Sequence, residues 1–300
     1  MKIELRSVQP PHFSFTQETN IIPAEEYERR LSTLYENAKT DWVIVYGDRE
    51  HCANLLFLIN FDPRFEEALL VLGANGFRTL LVGNEGLGYE SVIPIPIKMT
   101  LTQSFSLGGQ QRTTAPRLFD VLAKIGIEEG DSVSIIGWKY LEPFEIETPS
   151  TPAFIPSFIV DIIRKLVGAK GHIIDATNLL MHPEYGLRAN NTCYQIAVFE
   201  WAARNCSAAI HSIVNGTHPG MSEMDAARLM NYEGAPQSMH PIISSSSNLF
   251  NGLRSPTNRK INYGDGVSVA LGYWGSLVCR AGMMLDKVDH AFFEDYVTPY

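Results

Sequence analysis

The stretch Ser244-Ser245-Ser246-Ser247-Asn248-Leu249-Phe250-Asn251-Gly252-Leu253-Arg254-Ser255-Pro256-Thr257-Asn258-Arg259, continued by Ile261-Asn262-Tyr263-Gly264-Asp265-Gly266-Val267-Ser268-Val269-Ala270-Leu271-Gly272-Tyr273-Trp274-Gly275-Ser276-Leu277-Val278-Cys279-Arg280-Ala281-Gly282, decides how the chain is read. It opens as a polar loop. A Gly264-Asp265 turn follows, since glycine permits positive φ and aspartate bonds nearby backbone amides. The alternation Val267-Ser268-Val269 then predicts a strand that bends at Gly272 and Gly275 into a second apolar run, a hairpin.

Upstream, Cys193, Ile196, Ala197, Phe199, Ala203, Cys206 and Ile210 recur at helical spacing. They predict a long helix over about Asn190–Val214, stopped by Asn215-Gly216. Pro219-Gly220-Met221-Ser222-Glu223 opens a second helix with Ser222 as its N-cap. His240 and Ser244–Ser247 invite a nucleophile-and-base interpretation, but no Gly-x-Ser-x-Gly elbow accompanies them, so a polar loop explains the serines better. Asn190-Asn-Thr192 and Asn215-Gly-Thr217 fit the glycosylation acceptor pattern. Met1–Arg6 shows no long apolar run of a signal peptide, and the two acceptor patterns are expected to be unused.

The long helix, the Pro-Gly-x-Ser-Glu opening of the next helix and the loop–turn–hairpin together resemble the creatinase, prolidase and aminopeptidase P family of pita-bread hydrolases. Asn248, Pro256, Arg259, Gly264, Asp265, Gly272 and Arg280 fit that family's frame. The chemical positions do not. Leu253 stands where the family has its catalytic His, Ala270 where it has its first metal Asp, and Leu277 near the second, in a hairpin about four residues short. Asn191 and Gln195 replace the usual Lys and Glu near the start of the long helix. Family members bind two divalent metals such as Mn, Co or Zn, and a bridged water becomes hydroxide only where carboxylates hold both ions. Ala270 and Leu277 supply no oxygen, so no metal, no other cofactor and no catalytic residue is assigned. Creatinase itself works without metal through the His, and Leu253 removes that route too.

The resemblance implies a retained cleft for a peptide or small nitrogenous ligand, lined by His240, Asn248, Tyr273 and Arg280, and a homodimer. Two alternatives stay open: an active Xaa-Pro peptidase or amidinohydrolase with rearranged groups, and a non-catalytic dimerisation module. If the register of the short hairpin were different, Asp265 and Asp286 would be the nearest carboxylates, although Asp265 is better explained by its turn. Asp289–Val297 starts an amphipathic helix. Family members continue past this point with a further His and two Glu ligands. Residues 187–300 are therefore expected to be the first half of an α+β pita-bread domain, with open edges that are read as those of a fragment rather than as edges covered by a partner.

The 300 residues are 45% apolar and 19% charged, an ordinary globular balance with room for two domains. A net charge of −9 and a pI near 5.4 argue against nucleic acid or an anionic membrane as partner. No apolar run approaches a membrane span. Cys52, Cys193, Cys206 and Cys279 are scattered and are read as buried free thiols of a cytoplasmic protein.

The first half predicts helices at Pro23–Asn37, Arg117–Ile125 and Pro156–Val167. Strands are expected at Val43–Tyr46, Asn54–Phe61, Glu67–Leu72, Phe77–Val82, Ser132–Gly137 and His172–Asp175, with a hairpin at Gly73–Gly76. Gly83–Gly88 is glycine-rich but lacks the Lys-Ser/Thr of a phosphate cradle and is read as a turn. The mixture makes residues 1–180 an α/β domain with a mixed sheet. Its order is similar to the family's N-terminal domain, a ribonuclease H-like layout without catalytic residues. Met181–Gly186 is read as a linker.

Overall fold

A computed structural model describes residues 11, 14–16, 21–146, 153–252 and 254–285. Two compact units emerge. One is Ile22–Thr192; the other begins at Cys193 and includes the described residues before Ile22.

The first unit contains α1 (Ala24–Ala38), β1 (Trp42–Gly47), α2 (Ala53–Ile59), β2 (Ala68–Leu72), β3 (Arg78–Val82), β4 (Lys98–Leu101), α3 (Leu118–Ile125), β5 (Ser132–Ile136), α4 (Ser157–Val167), β6 (His172–Asp175) and the short α5 (Asn178–Met181). Its six strands form one mixed sheet in the order β4-β3-β2-β1-β5-β6. β1 runs parallel to β5 and antiparallel to β2, and β2–β3 is the expected hairpin. Central strands are buried on both faces, which is why they read as unbroken apolar runs. Ile44, Tyr46, Leu69, Val71, Val133 and Ile135 face Leu118, Leu122, Ile159 and Ile163 of α3 and α4.

Asn54–Phe61 is not the strand its apolar run suggests but α2. Its buried residues Asn54, Leu55, Leu58 and Ile59 fall on one helical face. A short apolar run carries no period of its own, and only Ile59 in it is β-branched. Residues after α5 are not a loose linker either. Leu187 N–H donates to Leu179 O and Arg188 N–H to Leu180 O, and the Arg188 guanidinium reaches Asn54 Oδ1 at 2.9 Å, so this segment is tied into the first unit.

The second unit contains α6 (Cys193–Gly216), α7 (Glu223–Arg228), β7 (Gln237–Ser245), β8 (Gly266–Tyr273) and β9 (Val278–Met283), the strands forming the antiparallel sheet β7-β8-β9. Ser222 caps α7, its Oγ accepting from Asp225 N–H at 3.0 Å. The β8–β9 hairpin turns at Trp274-Gly275, where Gly275 sits at φ 98. β7 has no strand signal in the sequence, because Pro241 and three serines interrupt its apolar residues. Pro241 is tolerated because β7 is an edge strand with two register shifts.

The four cysteines are free, but only Cys52 and Cys206 are buried; Cys193 and Cys279 are exposed, contrary to expectation. Among the described residues no helix is long and apolar enough to cross a membrane. The helix expected at 289–297 and the side chains of Leu253 and Asp286 lie outside the described residues.

Candidate functional site

Alternation along β8 gives its sheet two different faces. Val269, Leu271 and Tyr273, with Ile243 of β7, pack on Ala202, Cys206, Ala209, Ile210 and Ile213 of α6 and on Ala226 and Met230 around α7. The opposite face carries the rows Ile242–Ala270–Cys279 and Ser244–Ser268–Ala281, each set by the pairing register.

Ala270 is nearly buried at 9% exposure, and its partner across the hairpin is Cys279. The expectation that Leu277 stands near the second chemical position is corrected here. The tight turn leaves Leu277 outside β9, 60% exposed, and brings Cys279 opposite Ala270 instead.

The four expected cleft residues are placed in different surroundings. Tyr273 does not line an opening: it has 0% exposure and lies edge-on to Phe15 and Trp201, with ring centroids 6.0 and 6.3 Å away. Its hydroxyl finds no hydrogen-bond partner among the described residues, and burial pushes its pKa up to about 12. Strand parity aims it at α6, which is what a sequence without a fixed sheet orientation does not show. Arg280 pairs with Val269, is exposed, and gives Nη1 to the Cys279 carbonyl at 2.7 Å. His240 is exposed with Nε2 3.0 Å from Ser255 Oγ. Asn248 donates Nδ2 to Glu223 Oε1 at 3.0 Å and Oε2 at 3.2 Å. No hydrogen bond joins any two of the four among the described residues.

Tyr273→Phe keeps the ring packing and removes an unpaired buried hydroxyl. The expected result is a gain of about 1 kcal/mol in unfolding free energy, measured by urea titration. A loss of that size would mean the hydroxyl has a partner.

Glu223 is the side chain that sequence reasoning passed over. It is wholly buried at the start of α7. Its carboxylate accepts from Ser245 N–H (2.8 Å), Ser245 Oγ (2.7 Å), Thr257 N–H (3.0 Å), Thr257 Oγ1 (2.6 Å) and Asn248 Nδ2. Burial alone would raise its pKa, but the bonds from Thr257, Ser245 and Asn248 outweigh that and hold the group below the ordinary carboxylate value. Ser245 Oγ also accepts from Arg259 Nη1 at 2.7 Å, and Arg259 grips Asp265 at 2.9 and 3.2 Å. The frame residues Ser222, Glu223, Asn248, Arg259 and Asp265 therefore belong to one structural scaffold joining α7, the end of β7, the loop and the turn before β8. Its one sign in the sequence is the Ser222-Glu223 pair, which also opens α7.

The fold has close counterparts among solved structures. An Xaa-Pro dipeptidase from Bacillus anthracis superposes with a TM-score of 0.57 at 16% identity, over 89% of this chain and 66% of its own. An X-Pro aminopeptidase from Thermotoga maritima gives 0.62 at 14%, over 88% and 67%. A prolidase from Pyrococcus furiosus gives 0.60 at 15%, over 89% and 68%. This chain has the prolidase fold. No protein-family model matches the sequence, and no curated protein matches it significantly. The chain spans about two thirds of the length of these prolidase-fold structures.

A pair of divalent metals of the kind the family resemblance implies does not fit the residues present. The face where the prolidase resemblance expects carboxylates offers the Ala270 methyl, the Ile242 side chain, two serine hydroxyls and the Cys279 thiol. None is a carboxylate, and two hard or borderline cations need several anionic oxygens. Ser244 Oγ is buried without a partner among the described residues, but one neutral hydroxyl does not replace a bridging carboxylate. No group of three or more His, Cys, Asp or Glu suited to a metal occurs among the described residues.

Proposed function

We propose that this protein is a prolidase-fold homologue that does not carry out metal-dependent hydrolysis and instead binds a peptide or small nitrogenous ligand. In this proposal residues 187–300 are the first half of a pita-bread domain, and the protein works in the cytoplasm, where its free thiols stay reduced. The Ile242–Ala270–Cys279 row carries the proposal, because a peptidase of this design needs anionic oxygen there to make hydroxide at neutral pH. Ser245, Asn248 and Thr257 are engaged with Glu223, and Ser245 also with Arg259, in holding the scaffold.

The test is metal content and cleavage together. Protein purified in Mn-, Co- or Zn-containing buffer and then desalted is expected to retain well under one equivalent of metal. It is expected to leave an Xaa-Pro dipeptide uncut, at the rate of a protein-free blank. Two tightly held ions, or turnover above the blank, would establish the rearranged hydrolase instead. Calorimetric titration with the same uncleaved dipeptide reads the binding half of the proposal, and the absence of heat at millimolar peptide would reject that half.

A further inference from the structure

On one face, the sheet of the first unit ends in a row of oxygen-bearing side chains. Tyr46, Leu69, Leu81 and Thr100 lie side by side across β1, β2, β3 and β4. Side chains two positions apart along a strand share a face. One period further on, the same row reads Asp48, Glu67, Gly83 and Thr102, and the 2.8 Å bond from Thr102 N–H to the Val82 carbonyl carries the ladder that far. Tyr46 Oη lies 3.0 Å from Asp48 Oδ2 and 3.2 Å from Glu67 Oε1, which fits the shared face. Gly83 adds no side chain, and the Glu66 carboxylate takes its place: a Cβ on Gly83 would lie 2.5 Å from Glu66 Cδ and Oε2 and 2.6 Å from Oε1. Glu66 is 4% exposed, and Thr102 is wholly buried. Gly86 N–H donates to Glu66 Oε2 at 3.0 Å, whereas Glu66 Oε1 and Thr102 Oγ1 have no hydrogen-bond partner among the described residues. The glycine-rich stretch Gly83–Gly88 thus holds a carboxylate of the chain itself.

Charge decides what the two unpartnered oxygens hold. Asp48, Glu66 and Glu67 share this end of the sheet, and among the described residues the only ion pair made by any of them is His51 with Asp48, at 2.9 Å. Arg112, beside the same loop, gives its guanidinium to the Ser106 and Leu107 carbonyls instead. Burial first, and then the Asp48 charge, raise the pKa of Glu67 against the opposing bond from Tyr46, the mark of a region short of positive charge. A buried carboxylate needs a counter-charge as well as hydrogen bonds. We infer that Glu66 Oε1 and Thr102 Oγ1 are ligands of a buried monovalent alkali cation, sodium or potassium. A water molecule would bond both oxygens but leave the charge uncompensated. A divalent ion calls for several converging ligands, and no group of three or more His, Cys, Asp or Glu provides them among the described residues. This inference stands apart from the loss of hydrolysis and does not depend on it.

Thermal unfolding of the full chain in sodium, potassium or choline chloride at one ionic strength tests it. Choline screens surface charge but is too large for a buried site. The wild type is expected to melt several degrees higher in sodium or potassium than in choline, with a gain that saturates as the alkali cation replaces choline. The ion with the larger gain is the occupant. Glu66→Gln is expected to melt alike in all three salts, and Thr102→Val to need about tenfold more cation for half of the gain. Hydrogen exchange of the wild type supplies a readout that needs no variant: the amides of Gly86 and Thr102 are expected to gain protection in the alkali salt beyond the rest of the sheet. Equal melting of the wild type in all three salts would overturn the inference and leave the two oxygens to a bridging water only. A gain that survives in Glu66→Gln, or protection that rises evenly over the chain, would overturn it as well, as a salt effect elsewhere.

Discussion

Glu223→Ala is expected to destabilise the second unit by about 4 kcal/mol in chemical denaturation, a large share of the roughly 5–15 kcal/mol that holds a typical domain together. The alanine leaves the Ser245 and Thr257 backbone N–H groups and both of their hydroxyls without their acceptor, and leaves the Asn248 amide only a 3.4 Å bond to Thr257 Oγ1, in a site that Glu223 fills with 0% exposure. An unsatisfied buried donor costs about 1–3 kcal/mol, and relaxation of the exposed loop keeps the total below the simple sum. Glu223→Gln is expected to cost about half as much, because its amide oxygen keeps some acceptors while its NH2 confronts donors. The charge gives a second readout. The folded pKa of Glu223 lies below its unfolded value, near 4.5, so its contribution is complete above that value and is lost as pH falls through the folded pKa. Stability of the wild type should therefore drop more steeply in that acid range than stability of Glu223→Gln. Parallel pH curves, or a change under about 1 kcal/mol for alanine, would show that the carboxylate does not hold this scaffold together.

The second large effect is expected in the first unit, at Arg30. This arginine is 1% exposed. It donates Nε to Glu26 Oε1 at 2.8 Å and Nη1 to the Phe57 carbonyl at 2.7 Å, and its guanidinium carbon lies 4.1 Å from the centre of the Phe57 ring. Arg30 thereby ties α1 to α2 through charge, hydrogen bond and stacking at once. Arg30→Ala removes all three and leaves a cavity, at an expected cost of about 3–4 kcal/mol. Glu26 is not orphaned, since Arg29 holds it at 2.8 Å through two nitrogens; that pairing, followed by Arg30, keeps its carboxyl below the ordinary range against the effect of burial. Arg30→Lys is expected to cost about 2 kcal/mol, because an ammonium cannot stack flat on Phe57 while bonding both acceptors. Equal stability of the lysine variant would show that charge alone matters there.

Where a structural cause lies within one turn or one strand, the residues disclosed it. The stripe Tyr27, Leu31, Leu34 marks α1, the Ser222 cap marks α7, and Gly264-Asp265 followed by alternation marks β8 and the turn before it. The absence of carboxylate from Ala270 is visible in the letters themselves. The strand β7 was hidden because it is held in place by pairing with β8 rather than by its own propensity. Helix α2 reads as a strand in the sequence because an apolar run without a period does not show which of its neighbours will bury it.

The sequence by itself thus determined most of the helices, the β2–β3 and β8–β9 hairpins and the likeness of the frame to the prolidase fold. Tertiary structure alone decided that Cys279 rather than Leu277 faces Ala270, that Tyr273 is core, and that Asn248 belongs to Glu223. The reason is one of range. A cap or a turn is settled by groups a few residues apart, whereas the bonds around Glu223 join positions 22 to 34 residues distant, and strand facing depends on a register that only the folded sheet sets.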